Sequence, residues 1–109
     1  MSYYPIEFDK TRNLKYGMRA LDAIEKKLKK PVAQIDTDNV TMQEVATIMW
    51  AGLIHEDKDL TPSKVMDLVD DHSDILTATT IMWKAFLGAF GVDPEVIEAE
   101  LSGEKVKNG

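Results

Sequence analysis

The chain has 109 residues, 44% hydrophobic and 29% charged, and thirteen Lys and Arg against nineteen Asp and Glu give it a net charge of −6. That length supports one hydrophobic core, and the mixture of apolar and charged residues belongs to globular rather than disordered chains. The absence of cysteine excludes a disulfide framework, a thiolate nucleophile and a cysteine zinc site, and no apolar run reaches the roughly 18–20 residues of a membrane span.

The N-terminal stretch Met1–Phe8 lacks the basic and apolar regions of a secretory signal, so a reducing cytosol is the expected setting. Tyr4–Phe8 is short, aromatic and interrupted by Pro5. Asp9–Asn13 reads as a turn and Leu14–Tyr16 as a short extended piece. At most a small hairpin is expected before Gly17. From Gly17 to Lys29, the residues Met18, Leu21, Ile24 and Leu28 recur at three- and four-residue spacing, which predicts a helix with that stripe inward. Asp22 with Lys26, and Glu25 with Lys29, form acid-before-base pairs on its outer side. Pro31 ends it, and Ile35 and Val40 are expected to anchor the connector to the core.

Thr41-Met42-Gln43-Glu44 is a capping box opening a second helix that runs through Val45, Ile48, Met49, Trp50 and Leu53 to about His55. After the loop Glu56–Leu60, Thr61-Pro62 reads as an N-cap followed by proline at the first helical position. This third helix is expected to reach about Asp70, with Val65, Leu68 and Val69 inward. The fourth, starting near Ser73 and running from Ile75 to Phe90, carries Lys84 as its only charge. Thr77, Thr80, Lys84 and Gly88 form one narrow stripe on an otherwise apolar cylinder, which must be covered on most sides. Asp93-Pro94 predicts a fifth helix through Val96, Ile97 and Leu101. The expected fold is therefore all-α, a bundle of about five helices in a single domain over residues 1–101, with a flexible tail over 102–109.

No catalytic, metal or cofactor site stands out. His55 and His72 lack the spacing that sets two ligands on one helical face, and each reads as a solvated histidine. The acidic loop Asp57-x-Asp59-x-Thr61 lacks the glycine and the bidentate glutamate of a calcium loop, having Pro62 and Leu68 in their places. No glycine-rich phosphate cradle and no nucleophile elbow is present. The basic cluster Lys26, Lys27, Lys29 and Lys30 lies at a helix end, where the helix dipole favours cations, and an acidic chain is a poor binder of nucleic acid. What remains is surplus apolar surface, which marks self-association or a partner groove. The expected contact face is Met49, Trp50, Leu53 and Ile54 on the second helix. Trp83, Phe86, Leu87 and Phe90 on the fourth join it on whichever side the core leaves free.

The segments Arg12-Asn13-Leu14-Lys15-Tyr16-Gly17-Met18-Arg19-Ala20-Leu21, then Glu25, then Ala51-Gly52-Leu53-Ile54-His55-Glu56-Asp57 and Leu60-Thr61, resemble the tail assembly chaperones of long-tailed bacteriophages. The group concerned is found in phages and prophages of Gram-positive bacteria and is similar to a gene transfer agent component. The resemblance covers about residues 6–92. It implies a non-enzymatic helper that coats the long, helical tape measure protein, keeps it soluble and brings tail tube proteins to it. Such a helper acts in the host cytoplasm and is absent from the finished virion. The family defines no catalytic residues to carry over. The alternative, from another class, is a small homo-oligomeric structural protein of the particle, such as a head–tail connector or tail completion protein.

Overall fold

The computed structural model describes residues 3–92. It is mostly helical, with a two-stranded hairpin followed by four α-helices. Strands β1 (Tyr4–Glu7) and β2 (Thr11–Leu14) pair antiparallel with Ile6 opposite Arg12 and Tyr4 opposite Leu14. Alternation on the pleat sends Ile6, Phe8, Leu14 and Tyr16 into the core. The three-residue connection is held from both sides. Arg12 donates to both carboxylate oxygens of Asp9 at 3.0 Å, and Thr11 Oγ1 donates to Glu7 at 2.7 Å.

Helix α1 (Met18–Leu28) buries Ala20 and Ile24, with Leu21 and Leu28 half-buried. Met18, expected in the inward stripe, is 88% exposed. At about 100° per residue it lies some 200° around the helix from Ala20, on the opposite side. The helix stops at Lys29, which takes a left-handed conformation (φ 60°) and donates its backbone N–H to the Glu25 carbonyl. Glu25 does not take up the expected pairing with Lys29; its carboxylate accepts the backbone N–H of Val32, in the single-turn 3₁₀ helix Val32–Gln34, at 2.9 Å. The expected Asp22–Lys26 pair forms at 3.1 Å between exposed side chains. Ile35 and Val40 pack against the core as expected.

Helix α2 (Met42–Leu53) is central, touching α1, α3, α4 and β2. Its capping box is complete: Thr41 Oγ1 accepts Glu44 N–H at 3.0 Å, and the Glu44 carboxylate accepts Thr41 N–H at 2.8 Å. Eight of its twelve residues are buried, Val45 through Met49 and Ala51 through Leu53. Buried Thr47 donates to the Gln43 carbonyl at 2.8 Å, which disposes of its hydroxyl. Helix α3 (Pro62–His72) opens on the Thr61 cap with Pro62 first, and extends two residues beyond the expected Asp70. Helix α4 (Ile75–Gly88) is capped by Asp74, which accepts both the N–H and the hydroxyl of Thr77. It ends two residues before the expected Phe90. Gly91 is at φ 84°, Val92 N–H reaches the Leu87 carbonyl and Gly91 N–H the Gly88 carbonyl, the pairing of a Schellman stop that calls for glycine. The fifth helix expected from Asp93 and the tail from Ser102 lie outside the described residues.

Ile6, Leu14, Ile24, Ile48, Met49, Leu53, Val65 and Met82 form the fully buried centre. Among the described residues, no helix is long and apolar enough to cross a membrane.

Candidate functional site

The core claims much of the expected contact face. Met49 and Leu53 are 1% and 0% exposed, and Trp83 and Phe86 are 8% and 3%. Because α2 is central, its apolar residues on all but one side are taken by neighbouring elements. Phe86 stacks edge-on against Tyr16, Trp83 and Phe90, with ring centroids 5.3–5.8 Å apart. Met49, Leu53, Trp83 and Phe86 hold the fold and offer no surface to a partner. The other four retain surface but do not form one face. Trp50 and Ile54 are half-buried near the end of α2, while half-buried Leu87 and exposed Phe90 lie at the end of α4.

Trp50 and Ile54 belong to a groove of about 570 Å³ lined by Lys15, Gly17, Met18, Arg19, Ala20, Trp50, Ala51, Ile54, His55 and Lys58. It is built by the junction of three elements. Lys15 N–H donates to the Gly52 carbonyl at 2.9 Å, tying the residue after β2 to the last turn of α2. Tyr16 Oη donates to the Ile48 carbonyl at 2.6 Å, and burial pushes its hydroxyl well above the ordinary tyrosine range. A Cβ at position 52 would lie 2.7 Å from the Tyr16 ring and 2.9 Å from Leu14, so only glycine allows this approach.

Three more contacts close the corner. Glu56 accepts the backbone and side-chain N–H groups of Asn13 at 3.0 and 3.1 Å. Desolvation opposes ionisation of Glu56, but those hydrogen bonds outweigh it and hold its pKa below the ordinary value. His55 Nε2 lies 2.7 Å from the Asn13 carbonyl, which fixes the proton on that nitrogen. His55 is exposed, as expected from sequence, and also clamps the Asn13 backbone. Buried Arg12, besides its fork on Asp9, reaches Asp57 at 3.3 Å. Its hydrogen bond to Asp9 and then that to Asp57 raise its already high pKa against desolvation.

Trp50 is held by donating Nε1–H to the Leu60 carbonyl at 2.9 Å, and Lys27 Nζ lies 5.2 Å from its ring centroid. The charged residues lining the groove are Lys15, Arg19 and Lys58, with no carboxylate among them. Of the acids beside His55 and Lys58 in sequence, Glu56 and Asp57 are turned toward Asn13 and Arg12, and Asp59 is not among the lining residues. Sequence reasoning missed Met18, Arg19 and Lys58. The phase of Met18 against Ala20 was the available signal; the contribution of Lys58 depends on how the loop folds back under Trp50.

A second, smaller groove of about 210 Å³ runs between α2, α3 and α4, lined by Met42, Val45, Met49, Val65, Met66, Val69, Ile75 and neighbours. At its edge Met42 and Ile75 are 55% and 57% exposed, and adjacent Leu76 is 74% exposed. Among the described residues, no three His, Asp or Glu side chains cluster in a way that could hold a metal ion. No family model, curated protein or solved structure matches the chain.

Proposed function

We propose that this chain is a non-enzymatic assembly chaperone that binds a long amphipathic helical client, a phage tape measure protein, and keeps it soluble while tail tube subunits are recruited. One observation carries the reading. The two segments that resemble tail assembly chaperones, Arg12–Leu21 and Ala51–Asp57, are separated by 29 residues in sequence yet fold into one corner. Together they supply eight of the ten residues lining the larger groove. The clamps at Gly52, His55 and Glu56 hold that groove in shape, while half-buried Trp50 and Ile54 and exposed Met18 give it apolar surface. A client helix would lay residues at three- and four-residue spacing along such a surface. Each contact is weak, and many copies on one long client provide the avidity.

Expressing the tape measure protein alone and with this chain tests the proposal, with its soluble fraction as the readout. Co-expression is expected to raise that fraction. Equal solubility, together with normal tails after deletion of this gene, would reject the chaperone reading in favour of a small structural protein of the particle.

A further inference from the structure

The larger groove has a sign of charge opposite to that of the molecule. The chain carries −6 overall, yet Lys15, Arg19 and Lys58 are the charged residues among the apolar lining of Met18, Trp50 and Ile54. Among the described residues, none of the three cations pairs with a carboxylate. The groove also includes the start of α1, where Gly17 supplies no side-chain cap and the first turn holds no acid. The positive end of that helix dipole therefore adds to the same field.

We infer that the groove selects an amphipathic helix whose apolar stripe is flanked by Asp and Glu, an inference that rests on the groove being the client-binding face. Apolar contact with Met18, Trp50 and Ile54 supplies the attraction, and the cationic rim chooses among helices that all possess an apolar stripe. A helix flanked by Lys would meet like charge along the rim, whereas one flanked by Glu would not. A bilayer or nucleic acid fits less well. Both are extended anionic surfaces that would also confront the acidic remainder of the molecule, while a single helix can lie along the groove alone.

The probes are two labelled synthetic peptides of about 20 residues, near 30 Å as helices, sharing one leucine stripe and differing only in Glu or Lys beside it. Binding to the full chain is read by fluorescence anisotropy. The Glu peptide is expected to bind at least about tenfold more tightly than the Lys peptide, with the margin shrinking as salt shortens the screening length. Arg19→Glu with Lys58→Glu, both at exposed positions, should reverse the preference without changing the CD spectrum. Lys10→Glu with Lys64→Glu, an equal change in net charge away from the groove, should leave it intact. Equal binding of the two peptides, no binding of either, or an unchanged preference in the Arg19/Lys58 variant would overturn the inference. Tighter binding to phosphatidylglycerol vesicles would assign the groove to an anionic surface instead. A client kept soluble equally by wild type and the Arg19/Lys58 variant would sink this inference and leave the chaperone function standing. A client not solubilised by wild type would remove the function itself.

Discussion

At the scale of single residues, the corner between β2 and α2 depends on an absent side chain. Alanine at an exposed helical position normally gains about 1 kcal/mol over glycine. At position 52 its Cβ would meet the Tyr16 ring at 2.7 Å and Leu14 at 2.9 Å, both inside the core. Gly52→Ala is therefore expected to destabilise by about 1–3 kcal/mol, the range for overpacking a tight site, as read by urea denaturation. A gain in stability would show that Tyr16 yields freely. Nothing in the sequence marks Gly52 as different from a tolerated helical glycine, because the approach involves residues some forty positions away. The same distance hid the role of His55, whose partner is Asn13. Acid sensitivity also belongs here. Hydrogen bonds to Asp9, Glu44, Glu56 and Asp74 lower their pKa values below the ordinary 3.8 and 4.5. A depressed folded-state pKa contributes stability above the unfolded value that is lost as pH falls through the folded one. The melting temperature should accordingly hold between neutral pH and about 5, then decline steadily below 4.

At the scale of elements, starts were more legible than ends. Thr41-x-x-Glu44 and Thr61-Pro62 are local signals, satisfied by atoms within four residues, and both caps form as the sequence indicates. Thr41→Ala should cost about 1 kcal/mol, with a smaller loss marking a cap replaced by water. The end of α1 is less local: Pro31 announces a stop, but not that Lys29 turns left-handed to make it. Lys29→Gly relieves that conformation and is expected to stabilise by up to about 1 kcal/mol, measured by thermal melting. Which sides of α2 and α4 are covered was only partly legible. Both are apolar over most of their circumference, and the stripe of Thr77, Thr80, Lys84 and Gly88, which is exposed or half-buried, marks only one side of α4. Tertiary contacts bury Met49, Leu53, Trp83 and Phe86 and leave Ile75, Leu76 and Phe90 exposed.

At the scale of the whole molecule, apolar surface remains in two separated places with different chemistry. The patch of Met42, Ile75 and Leu76 beside the smaller groove has one acid, Asp70, in its lining, and is the surface through which we propose self-association. Sedimentation at high micromolar concentration should show an oligomer that Leu76→Asp reduces to monomer with unchanged helicity. A strict monomer in the wild type would remove that proposal. Trp83→Asp or Phe86→Asp cannot serve this purpose, since buried charge at either site is expected to unfold the domain. The cation-rimmed groove at the opposite end of α2 is the one we propose for the client. Amide hydrogen exchange of this chain, with and without the tape measure protein, tests that assignment most directly. Slowed exchange concentrated in residues 15–20 and 50–58 is the predicted result. Protection confined to residues 75–90, or none anywhere while the client is held in solution, would contradict it.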